Sequence, residues 1–208
     1  MKLLGLVVVS LAFTACIPTA FRPARTVPQG EVEHTIGAHV LRFDAEKFCE
    51  KCELAEAFNF PTPSYTMRYG AARGLDIGLG YSMPGALSLD ATIELVRTPG
   101  IDFSLGPTAV FDWFSGLPAF GLPALVDLNL APRISVVGFL GPVFMIGRDT
   151  DGTRTNVWLG QAGVGLEMRP LPWLSLRPWM AIAGRTSWGE MVGYGGLAIA
   201  FSGQREFP

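Results

Sequence analysis

The sequence predicts an all-β fold, an antiparallel up-and-down transmembrane β-barrel of about ten strands. Three observations carry that expectation. The 208 residues are 49% hydrophobic and only 16% charged, where soluble domains are about 25% charged. Beyond the N-terminus, no apolar run approaches the roughly 20 residues that a membrane-spanning helix needs. From Glu31 onward, apolar and polar side chains instead alternate with period two in segment after segment, which gives strands two unlike faces. Strands that meet hydrocarbon must close on themselves, because lipid offers no partner to an open sheet edge.

Residues 1–15 read as a signal peptide. Lys2 supplies a positive start, Leu3 to Phe13 an apolar stretch too short to span a bilayer, and Thr14-Ala15 small residues for cleavage. Cys16 follows. Phe13-Thr14-Ala15-Cys16 resembles the lipobox of bacterial lipoproteins, which makes Cys16 the candidate lipid anchor. One diacylated anchor would add to the membrane affinity of the barrel. Residues 16–30 are rich in Pro, Arg and Thr and lack periodicity. They are expected to form a flexible periplasmic tether. The barrel is expected over 31–203, with a C-terminal tail at 204–208.

Ten segments alternate. In the first, Val32, Ile36, Ala38 and Val40 oppose Glu33, Thr35, Gly37 and His39. In the second, Tyr65, Met67 and Tyr69 oppose Thr66, Arg68 and Gly70. Leu75, Ile77, Leu79 and Tyr81 then oppose Asp76, Gly78, Gly80 and Ser82. The clearest segment sets Leu87 to Leu95 against Ser88, Asp90, Thr92 and Glu94. Ile101 to Trp113 carries Asp102 and Asp112 on its polar face, and Leu122 to Leu130 carries Asp127 and Asn129. Ile134 to Gly147 is apolar on both faces, so its register is open and eight or twelve strands stay in play. Trp158 to Met168 is opposed by Gln161 and Glu167, Leu174 to Ile182 by Ser175 and Arg177, and Met191 to Phe201 ends the series.

With the tether in the periplasm, short turns fall at Ala71 to Gly74, Thr98 to Gly100, Ala131-Pro132 and Leu171-Pro172. External connections fall at Asp44 to Pro63, Met83-Pro84, Ser115 to Phe120, Arg148 to Arg154 and Ser187 to Glu190. Long connections on one side only are a mark of outer-membrane barrels.

On Tyr69-Gly70, Leu75-Asp76-Ile77-Gly78-Leu79-Gly80, the Leu87 to Leu95 strand and the closing Val192 to Phe201 strand, the chain resembles the small outer-membrane β-barrel proteins of Gram-negative bacteria. The likeness covers roughly Glu31 to Gly203. It departs at the end, where Gln204-Arg205-Glu206-Phe207-Pro208 follows the closing strand. The resemblance implies the bacterial outer membrane as location. It implies outer-membrane lipid, the barrel-assembly machinery and the lipoprotein-processing machinery as partners. It fixes an architecture and no function.

The two faces then acquire surroundings. Tyr65, Tyr81, Trp113, Trp158 and Trp173 lie near strand ends, where an interfacial aromatic belt belongs. The inward set is acidic: Glu33, Asp76, Asp90, Glu94, Asp102, Asp112, Asp127 and Glu167 stand against Arg68, Arg177 and His39. Unpaired charges in a dry interior are costly. Either water enters the lumen, or the acids share cations and protons. The inward glycines leave room for a narrow wet passage with a preference for cations.

Local chemistry is sparse. Cys49-Glu50-Lys51-Cys52 lies in the first external connection, without the strand–helix context of a redox site and without four ligands for zinc. Cys49 and Cys52 are a candidate loop disulfide, which an oxidising compartment favours. Of the two histidines, His39 is the inward one, and no serine or acid can be set beside it from sequence to form a catalytic pair. Asp149-Thr150-Asp151-Gly152 lacks the spaced ligands of a calcium loop and reads as a hairpin turn. A net charge of −2 gives no footprint for nucleic acid. No metal, cofactor or catalytic residue is expected. The leading expectation is a structural or ligand-binding barrel acting through its external loops. The alternatives are a narrow channel for small polar or cationic solutes and a lipid-active barrel enzyme.

Overall fold

The structure, a computed structural model, describes residues 21–42, 61–83, 85–113, 117–148, 154–184 and 191–202. The alternating segments form β1 (Val32–Arg42), β2 (Pro61–Ala72), β3 (Leu75–Ser82), β4 (Ala86–Arg97), β5 (Ile101–Leu105), β6 (Thr108–Asp112), β7 (Leu117–Gly121), β8 (Ala124–Ala131), β9 (Ile134–Arg148), β10 (Arg154–Leu171), β11 (Leu174–Gly184) and β12 (Met191–Ser202). These make ten staves. β5 and β6 are one stave interrupted at Gly106-Pro107, since both pair with β4. β7 and β8 are another, interrupted at Leu122-Pro123, since both pair with β9. Proline cannot donate to a ladder. Neighbouring amides carry the wall across both breaks: Gly106 N–H donates to the Pro123 carbonyl at 2.8 Å, and Leu122 N–H to that of Pro142 at 3.1 Å.

Every stave pairs antiparallel with its chain neighbour, and β12 returns to β1 over Glu33↔Ser202 through Arg42↔Gly193. The ring is closed, so no edge is left to aggregate or to lose hydrogen bonds in lipid. One end carries four tight turns, closed by the pairs Ala72↔Leu75, Arg97↔Asp102, Ala131↔Ile134 and Leu171↔Leu174. Gly74 takes φ +77° in the first of them, a left-handed conformation that suits glycine.

Two expectations on the strands need correction. Ser115 to Phe120 is not wholly a connection, because Leu117–Gly121 is a strand paired with both β6 and β9. Pro118 and Pro123 hid it, by breaking the sequence signal at both ends of a five-residue strand. β2 likewise begins at Pro61, inside the connection expected over Asp44 to Pro63.

The alternation resolves into an apolar outside and a polar inside. Leu79, Leu89, Leu140, Met180 and Leu197 stand on the outer surface. Aromatic pairs stand toward the two rims: Phe144 with Trp158 (4.9 Å between ring centroids) and Phe111 with Trp113 toward the loop end, Trp173 with Phe201 at the turn end. Tyr65 faces Tyr81 across the β2–β3 ladder. His34 also faces outward, its ring Nδ1 at 2.7 Å from the Tyr65 hydroxyl. The open register of β9 is settled with Ser135, Val137, Phe139 and Val143 inward. Its inner face is apolar because the lumen beside it is apolar: Val137 and Phe139 pack with Leu125, Trp179, Ala181 and Phe21.

Candidate functional site

The lumen is occupied by the chain itself. Residues 21–30, within the stretch expected to be a flexible tether, fold back from β1 into the barrel. The reversal is made at Gly30, with φ +83°, where a side chain would be strained. Gly30 N–H donates to the Gly70 carbonyl at 2.8 Å, and Gln29 pairs in parallel with Gly70. From there the chain runs up the lumen to Phe21.

What holds it follows from backbone accounting. The segment has no ladder of its own, so each buried N–H needs a partner. Pro23 and Pro28 have none to satisfy. Four successive amides donate to acids of the wall: Ala24 to Asp127 Oδ1 (2.9 Å), Arg25 to Asp127 Oδ2 (3.2 Å), Thr26 to Glu94 Oε2 (3.3 Å) and Val27 to Asp76 Oδ2 (2.8 Å). Both arginines of the segment are paired. Arg22 bridges to Asp90 and donates to the Ala91 carbonyl at 2.8 Å. Arg25 donates through Nε to Asp102 Oδ2 at 3.1 Å. Ser104 donates to the Ala24 carbonyl. Phe21 stacks on Trp179, with centroids 5.6 Å apart, and meets Phe139 edge-on.

The inward charged residues fall into linked groups. Glu33, Asp76, Asp90, Asp102, Asp112, Asp127, Glu167, Arg68, Arg177 and His39 are all buried on the inner wall, and Glu94 is slightly more open. Arg68 lies between Asp76 and Asp90. Arg177 lies between Glu33 and Glu167, at 3.0 and 2.8 Å. Glu167 also meets Arg169, an inward residue two positions along the same strand that the segment limits left out. Asp76 with Asp90, and Glu33 with Glu167, therefore share cations. Further cations for Asp90 and Asp102 are supplied by Arg22 and Arg25, which sequence reasoning placed outside the barrel. One signal was there: eight acids against only the two arginines read as inward, Arg68 and Arg177, leave a deficit of positive charge, and Arg22 and Arg25 lie just ahead of the first strand.

The inward glycines do not leave a wet passage where the plug lies. A Cβ on Gly70 would run into the backbone of Pro28 and Val27. One on Gly106 would meet the Arg22 guanidinium, and one on Gly165 would sit 2.5 Å from the Phe21 ring. Above the plug, a cavity of about 40 Å³ is lined by His39, Thr35, Ser64, Thr66 and Asp90 among others, room for a few waters at most. Within it His39 lies against Trp179, centroids 6.4 Å apart, and its Nε2 has no hydrogen-bond partner among the described residues. Cys16, Cys49, Cys52, Asp149 to Gly152, the signal segment and the tail at 204–208 lie outside the described residues.

Gly70 gives a direct check on the plug. Gly70→Val should shift its docking equilibrium roughly 5- to 150-fold toward release, the equivalent of about 1–3 kcal/mol of overpacking against backbone. Trypsin should then cut after Arg25 in the folded variant while the wild type resists. Equal resistance in both would show that the segment does not lie against Gly70.

No family model matches the chain, and no curated protein matches it in sequence. Among solved structures it is similar to Ail, the attachment invasion locus protein of Yersinia pestis (13% identity, 84% of this chain and 99% of that one, TM-score 0.39). It is similar also to the N-terminal β-barrel domain of Pseudomonas aeruginosa OprF (13%, 84% and 98%, 0.40) and to the outer membrane protease OmpT of Escherichia coli (7%, 86% and 96%, 0.44). The class is carried by the barrel itself. A closed antiparallel wall with an apolar outer surface and a charged interior is a structure built to sit in lipid. The protein is an outer-membrane β-barrel of ten staves.

Proposed function

We propose that the protein is a non-conducting outer-membrane barrel whose own N-terminal segment seals its lumen, and that it acts through the loop end by meeting ligands or partners there. The observation that supports this is the seating of Phe21–Gly30, whose four successive amides and two arginines engage wall acids at mid-lumen. The end with four tight turns is assigned to the periplasm and the other to the cell exterior, following the usual asymmetry of these barrels. No catalytic role is assigned to His39, which has neither a serine nor a carboxylate hydrogen-bonded to it among the described residues.

Reconstitution in planar bilayers tests the seal. The wild-type protein should give no stable single-channel steps in symmetric potassium chloride. Regular steps from pure folded protein would overturn the closed-lumen reading.

A further inference from the structure

We propose that the segment Phe21–Gly30 is a displaceable plug, and that the wall beneath it is a latent pore for small cations with the Asp102–Asp127 pair as its selective site. The proposal rests on the closed-lumen reading above and adds what lies behind the closure.

Asp102 and Asp127 are direct partners across the β5–β8 ladder. Like charges facing each other across a ladder repel, and both carboxylates are buried. In the structure Arg25 joins them. Its amide reaches Asp127 at 3.2 Å and its guanidinium reaches Asp102 at 3.1 Å. Remove the plug and Asp127 loses the donors from Ala24 and Arg25, while Asp102 keeps only the Asn129 amide at 3.2 Å among the contacts described. Two facing carboxylates without that cation attract another one.

The plug is also held in a way that water and ions can replace. Phe21 is its largest apolar anchor, packed on Trp179 and Phe139, and the smaller Val27 and Ala24 are buried with it. The other contacts are hydrogen bonds to wall carboxylates and carbonyls and two ion pairs, which hydration or a mobile cation can substitute. Its departure would leave a passage one chain wide, because Gly70, Gly106 and Gly165 are the wall positions whose missing side chains make room for it. Acids then outnumber arginines along that passage, and a charged narrow lumen concentrates counter-ions.

The test uses the full chain with Arg22→Glu and Arg25→Glu together, which turns both attractions to Asp90 and Asp102 into repulsions. Folding is verified by heat-modifiable migration. The folded variant should give single-channel steps that the wild type lacks, with a reversal potential on the cation side in a potassium chloride gradient. Adding Asp127→Asn should lower the cation preference several-fold. A folded variant that stays silent, or that prefers anions, overturns the proposal. If the charge reversals do not fold, Arg22→Ala with Arg25→Ala in the same assay should give brief openings, and silence there overturns it equally. Steps from the wild type would instead strike the closed-lumen reading, so the two failures are distinct.

Discussion

Replacing Arg177 with methionine should lower the stability of the folded barrel by roughly 3–5 kcal/mol, the usual consequence of leaving buried charge without its partner. Arg177 is 1% exposed. It donates through both terminal nitrogens to Glu33, at 3.0 Å each, and through Nε and Nη2 to Glu167, at 3.0 and 2.8 Å. One planar cation thus ties β1, β10 and β11 together, in the fork geometry that suits arginine. Methionine keeps much of the length and none of the charge. The measurement is the urea midpoint of the refolded protein in detergent, read with the slope to confirm that the exposed surface is unchanged. The double variant Glu33→Gln, Arg177→Met should recover most of the loss, since Glu167 keeps Arg169 and the Glu33 position no longer carries charge. A loss of only ~0–1 kcal/mol, as for a solvated ion pair, would show that water reaches this depth of the lumen.

Leu140→Arg should be the most damaging change on the outer surface. Leu140 is 66% exposed and is the seventh of the fifteen residues of β9, which places it near mid-membrane. Arginine facing lipid at the midplane of a barrel costs about 2–4 kcal/mol, and near the interface about 0–1 kcal/mol. Ile134→Arg, on the same outward face but at the turn end of the same strand, should therefore be nearly silent. Both are read by folding titrations into lipid vesicles. Equal and small effects at the two positions would mean that this surface does not face acyl chains.

The plug bears on both experiments. Arg177 is a wall cation that stays when the segment leaves, whereas Arg22 and Arg25 leave with it. Arg177→Met should thus weaken the barrel without opening it, and Gly70→Val should free the segment without reaching the Glu33–Arg177–Glu167 group.

Much of this was legible in the residues. Period-two alternation pointed to about ten staves and to the two faces of every segment except Ile134 to Gly147, because a lipid-facing side chain and a lumen-facing one cannot exchange places without a large energetic cost. The inward positions of Glu33, Asp76, Asp90 and Arg177 were readable from that alternation, whereas Arg169 was missed because it lies just past the segment read from Trp158 to Met168. The five-residue strand at Leu117–Gly121 was not readable, because two prolines masked its pattern. The register of β9 was not either, because alternation carries no information where both faces are apolar. The inner face of β9 is apolar only because Phe21 and Trp179 lie against it, and Phe21 belongs to a segment with no periodicity at all. A stretch such as Phe21–Gly30 makes no regular structure of its own, so nothing local places it. Its position is decided by carboxylates far along the chain that need donors, and only closure of the barrel brings Asp76, Glu94, Asp102 and Asp127 around one axis where its amides and arginines can supply them.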